Sequence, residues 1–219
     1  DRFAVFLSHY KREAATEARW LQGELEALLG SGRCFLDSDD LKLLTELKDH
    51  VRSSDCLLLL QTKSVLTRPW CIVELLTAID AGVPIVGVSI TSGIAPYEFA
   101  AALNLMTHFD TMLDAEKQRQ LRALNIDLVD AAFKRASTLP HVISVELNMN
   151  ASRGVLSALV ADVVSSMGKA TLPALPPDPQ AWLADRTEAQ TRPRRVRQRR
   201  ENAHQGSGAA DRRDAGRAP

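Results

Sequence analysis

The chain has 219 residues, 45% of them hydrophobic, with 27 basic and 27 acidic side chains and no net charge. That is enough apolar material for one ordinary domain and an appendage, and no apolar run approaches the roughly 18 residues of a membrane-spanning helix. Three cysteines, Cys34, Cys56 and Cys71, are odd in number, widely spaced and set among apolar residues, which fits neither a disulfide framework nor metal-ligand spacing and points to a reducing, cytoplasmic compartment. Phe3 to Leu7 reads as a first strand. Ala14, Ala18, Leu21, Leu25 and Leu28 then repeat at steps of four and three, an amphipathic helix that stops at Gly30-Ser31-Gly32. Arg33 to Leu36 is a second strand. Leu44, Leu47 and Val51 mark a short helix, Cys56 to Gln61 a fully buried third strand, and Pro69 to Ala81 a helix ended by Gly82. A fourth strand covers Pro84 to Ile90. Between Thr91 and Leu139 only one helix is legible, on Leu121, Leu124, Leu128 and Ala131. His141 to Leu147 gives a fifth strand, and Leu156 to Met167 a closing helix.

Five strands alternating with about five helices predict an α/β fold, a flavodoxin-like doubly wound parallel sheet with helices on both faces, whose ligand crevices lie beyond the carboxyl ends of the strands. The expected domain spans residues 1–168, followed by a Pro- and Arg-rich disordered tail over 169–219. From Leu172 to Pro219 ten Arg stand against six acidic residues, a balance of +4, which leaves 17 basic and 21 acidic residues, −4, before it. Thr191 to Pro219 has almost no large apolar residue to offset the entropy of ordering. The run from Arg192 to Arg200 is either a solubilising segment or a contact for nucleic acid; no other part of the chain suggests a polyanion partner.

Three patches at strand ends or helix starts resemble the TIR (Toll/interleukin receptor) family. They are Phe3-Ala4-Val5-Phe6-Leu7-Ser8-His9-Tyr10, then Phe35-Leu36-Asp37-Ser38-Asp39-Asp40-Leu41, and, most specific, Trp70-Cys71-Ile72-Val73-Glu74-Leu75. Their order and spacing also match. The resemblance covers Phe3 to about Val88 and implies intracellular signalling, innate immunity included, through homotypic assembly with other TIR domains into a homo-oligomer. In members that cleave NAD it also implies a glycohydrolase whose catalytic carboxylate is Glu74, with NAD as substrate, no cofactor and no metal. Where the family often has Gly in the loop after the second strand, this chain has Leu44; Arg68 replaces a Ser two residues before the Trp, and Tyr10 and Lys11 occupy the place near which the family often has an Arg. A second reading is therefore a non-catalytic TIR adaptor or scaffold.

One carboxylate is chemically sufficient for NAD cleavage. The leaving nicotinamide starts as a cationic pyridinium and departs neutral, so it needs no proton; an anion placed beside the oxocarbenium-like ribosyl centre supplies the stabilisation. Candidate substrate-binding residues are Ser8, His9, Tyr10 and Lys11, which leave the first strand, together with Asp37 and Trp70, the segment from Asp37 to Leu44 gating access. Helical geometry groups Ile72, Leu75, Leu76 and Ile79 toward the sheet and puts Trp70 and Glu74 on the opposite side. The plainer alternatives are a solvated Glu74 near a helix N-terminus, a Trp70 packed under the loop, solvated Lys11 and Arg12, and a buried Cys71.

Overall fold

The computed structural model describes residues 2–30, 33–36 and 44–191, with side chains to 185. Expectations placed on Asp37, on the rest of 37–43 and on the Arg-rich run from Arg192 lie outside the described residues.

Five strands, β1 (Val5–Ser8), β2 (Cys34–Leu36), β3 (Leu57–Gln61), β4 (Ile85–Ile90) and β5 (Ser144–Leu147), form one parallel sheet in the order β2-β1-β3-β4-β5. That is the expected doubly wound arrangement. Helix α1 (Lys11–Leu29) ends at Gly30, whose φ of 65° needs a residue without Cβ, and α2 (Leu44–Arg52) follows β2. Helix α3 (Pro69–Ala81) has the bounds that Pro at its first turn and Gly82 at its end prescribe. After β4 come α4 (Phe99–Thr107), α5 (Phe109–Met112), α6 (Ala115–Ala123) and α7 (Leu128–Thr138), and α8 (Arg153–Met167) follows β5.

Two apolar layers sandwich the sheet. On one face Val5, Leu7, Leu58, Leu60, Val86, Val88 and Leu147 pack against α1 and α8. On the other, Phe6, Leu57, Leu59 and Ile85 pack against α2, α3 and α4. The helix read through Leu121, Leu124, Leu128 and Ala131 is in fact α6 and α7. Asn125 adopts φ 58°, and the Asp127 carboxylate accepts from the N–H groups of Val129 and Asp130, starting a new helix where the apolar spacing continues unbroken.

The compact unit extends to Pro177, beyond the expected end at 168, because Ala170 packs on the first layer and Leu172 and Leu175 on the second. Ending the chain after Thr171 is therefore expected to lower the thermal midpoint by several degrees relative to ending it after Pro177. Two partly buried leucines contribute about 2 kcal/mol together, and each kcal/mol moves a domain of this size by about 2–4 °C; equal midpoints would show that their packing adds nothing. The segment read as wholly disordered also contains α9 (Pro179–Thr191), entered through Asp178, whose carboxylate accepts from Gln180 N–H at 2.8 Å. An Asp-Pro start followed by Ala, Leu, Glu and Gln is a local helix signal that composition over the whole segment concealed.

All three cysteines are buried, and none is in a disulfide among the described residues. Burial pushes the Cys34 thiol from 9.0 up to about 11 and the Cys56 thiol from 9.0 up to about 12. A thiol whose pKa is higher in the fold contributes stability that is whole below the unfolded value and is lost as pH rises through the folded one. Unfolding free energy should thus fall between about pH 9 and 12, and Cys56→Ala should flatten that fall in urea titrations; an unchanged slope would remove Cys56 as its source.

Candidate functional site

Ser8 ends β1 with its side chain on the α3 face of the sheet. Its hydroxyl donates to Glu74 Oε2 at 2.5 Å, and Glu74 is only 1% exposed. The expectation that Glu74 shares a solvent-facing side with Trp70 is corrected here. Pro69 and every residue from Cys71 to Ile79 are buried, because α3 is covered by the sheet and also contacted by α2 and α7. Trp70, one turn earlier, remains 46% exposed. A carboxylate withdrawn from water is costly unless polar groups replace the lost hydration, and the Ser8 hydroxyl is one such group.

The other strand-exit residues frame this pair. His9 accepts a hydrogen bond from Cys71 Sγ through its carbonyl at 3.4 Å, which ties the end of β1 to the first turn of α3 and gives Cys71 the buried packing role. Tyr10 caps α1, and the guanidinium of Arg68, the residue before α3, lies 4.3 Å from its ring centroid. The Arg68 that departs from the family pattern therefore joins the two segments by a cation–π contact. Lys11 opens α1 in an exposed position. One turn into α1, Glu13 Oε2 accepts from Ser64 N–H at 2.9 Å, which fixes the loop leading to α3. Ser8 and Glu74 are thus in direct contact, His9 and Tyr10 are joined to the start of α3, and Trp70 and Lys11 stand in exposed positions.

Sequence reading missed Arg135, which is 0% exposed on α7. Its Nε donates to Ala131 O at 3.0 Å, its Nη1 donates to Leu66 O at 3.0 Å, and its plane lies 3.7 Å from the Phe109 ring centroid. Leu66 belongs to the 3-10 turn Val65–Thr67 just ahead of α3, so this guanidinium braces the segment that aims Glu74. Burial pushes its pKa down from 12.5 to about 9, still leaving it charged at neutral pH. Nothing local flags an Arg on a helix as a core residue. Among the described residues no group of three His, Cys, Asp or Glu side chains could hold a metal ion, and no helix is long and apolar enough to cross a membrane.

A parallel sheet in the order 2-1-3-4-5 with a buried carboxylate against its carboxyl edge defines a doubly wound α/β protein of the flavodoxin type. The TIR domain family model matches residues 5–124, and the chain belongs to that family. Among solved structures it is similar to the TIR domains of the activated Roq1 resistosome directly recognizing the pathogen effector XopQ, with 17% identity over 75% of this chain and 99% of that one and a TM-score of 0.48. No curated protein matches the chain.

Proposed function

We propose that the protein is an intracellular TIR signalling module that acts by homotypic assembly and cleaves NAD to nicotinamide and ADP-ribose, with Glu74 as the catalytic carboxylate. The observation that carries this reading is the Ser8–Glu74 pair, a carboxylate kept buried in a largely apolar helix beside the strand ends where α/β sheets bind ligands. In the reaction the C–N bond between ribose C1′ and the pyridinium nitrogen breaks, both electrons leave with neutral nicotinamide, and water then adds to the ribosyl centre that Glu74 stabilises, its surplus proton passing to solvent. Ser8 orients the carboxylate and acts as a positioning residue.

At 1% exposure Glu74 does not meet substrate in the conformation described. Turnover therefore requires a second conformation, and assembly is the natural means of populating it. Large apolar side chains remain exposed on successive helices, Trp70 on α3, Phe99 and Leu103 on α4 and Met112 on α5, which gives a surface for homotypic contacts. The same burial favours the second reading, a scaffold without turnover. Nicotinamide release from NAD by protein clustered on a multivalent support, compared with the same protein dispersed, separates the two. Release that rises on clustering supports the glycohydrolase, and none in either state leaves the scaffold.

A further inference from the structure

On the same face of the sheet as Ser8, but toward the β5 edge, lies a cavity of about 280 Å³ whose walls include Gln61, Ser89, Tyr97, Phe99, Ser144 and Glu146. Strand register builds it. Gln61 pairs with Ser89, Ser89 pairs with Glu146, and Gly87 pairs with Ser144, so polar side chains from three adjacent strands, spaced about 4.8 Å apart, project to one side. A Cβ on Gly87 would stand 2.7 Å from Ser144 Oγ and 2.9 Å from the Gln61 amide. Glycine is what lets these groups approach one another.

Their hydrogen bonds form one cluster. Ser89 Oγ lies 2.6 Å and Ser144 Oγ 2.8 Å from Gln61 Oε1, and the two hydroxyl oxygens are 2.9 Å apart. Three contacts share two hydroxyl protons. Gln61 itself is only 4% exposed, so its side-chain amide is held in place among these strand residues. A ligand hydroxyl, which both donates and accepts, is the group best able to join such a cluster of one amide and two hydroxyls. Glu146, exposed on the next strand, adds a carboxylate acceptor one strand spacing away, the distance at which a second, neighbouring hydroxyl would bind. Tyr97 and Phe99 offer apolar faces for a ring. No Lys, Arg or His is among the lining residues, and the one full charge there is negative.

We infer that this cavity is a second binding site, separate from Glu74, for a neutral ring carrying vicinal hydroxyls, whether a free monosaccharide or an unphosphorylated ribonucleoside. The volume, near the lower end of the roughly 300–1,000 Å³ of small-molecule sites, holds one such ring with water around it. A phosphate would face Glu146 with no counter-charge.

The test is a titration of the ¹⁵N-labelled full chain with D-ribose, D-galactose, adenosine, 2′-deoxyadenosine and adenosine 5′-monophosphate, followed by amide shifts. Saturable shifts should centre on Gly87, Ser89, Ser144 and the Gln61 side-chain amide. Binding by a sugar but not adenosine, or the reverse, names the source. Ser144→Val and Glu146→Gln, both at exposed positions, should each weaken binding about tenfold, as should loss of the 2′-hydroxyl from adenosine, because a site built to bond a hydroxyl rejects the analogue lacking it. Tighter binding of the monophosphate than of adenosine would overturn the neutral assignment. Absence of saturable shifts with every probe, shifts confined to other surfaces, or affinity unchanged in Ser144→Val would show that the cavity holds only water.

Discussion

Glu74→Gln is expected to lower nicotinamide release by clustered protein at least about 100-fold while leaving the fold intact. Removing one group that stabilises developing charge in a water-excluded site costs about 10²–10³ in rate, and here the carboxylate is the sole proposed stabiliser of the ribosyl cation. Glutamine keeps the volume of a side chain that is 1% exposed, and its carbonyl can still accept from Ser8 Oγ, now 2.5 Å from Oε2. Only the charge is lost. Alanine would be a poorer probe, since it opens a void and leaves the Ser8 hydroxyl without this acceptor, mixing stability with chemistry. Far-UV and thermal unfolding profiles matching wild type must accompany the kinetics. A correctly folded Glu74→Gln protein that still releases nicotinamide at the wild-type rate would show that the carboxylate does not carry the reaction.

The second large effect concerns stability. Arg135→Ala is expected to destabilise the domain by about 3–5 kcal/mol, since it empties the volume of a large side chain beside Phe109 and removes the donors to the Ala131 and Leu66 carbonyls. At about 2–4 °C per kcal/mol the thermal midpoint should fall by roughly 10 °C. Arg135→Met should cost far less, within about 1 kcal/mol, because it refills most of the space and withdraws a buried cation whose Nη2 has no hydrogen-bond partner. Urea unfolding of the two variants measures this difference. Equal losses would mean that the two backbone hydrogen bonds, and not packed volume, set the contribution of Arg135.

These two predictions meet at α3. Arg135 braces the turn Val65–Thr67 that leads into the helix, and Ser8 meets the helix from the end of β1. A moderate loss at Arg135 should therefore reach Glu74 as altered positioning before the domain unfolds, and the two variants should be compared in the same release assay.

What the sequence determined by itself was whatever short-range chemistry controls. Buried runs such as Leu57–Gln61 and Ile85–Ile90 declared parallel strands, Pro69 and Gly82 bounded α3, Gly30 ended α1, and the Trp70-Cys71-x-x-Glu74 start carried the family. The break between α6 and α7 was also written locally, in Asn125 and the capping Asp127, but an apolar repeat running across it masked the signal. Tertiary structure alone decided where side chains meet. Helical periodicity assigns Glu74 to the face away from the sheet, whereas in the fold it meets Ser8 at the end of β1 and is buried like its neighbours from Cys71 to Ile79. Ser8 meets Glu74 across 66 positions of chain, and Gln61 meets Ser144 across 83. The physical reason is that turn and helix-end preferences arise from a residue's own backbone and its near neighbours, whereas burial and hydrogen-bond partnership depend on strand order and register, which form only when the sheet does.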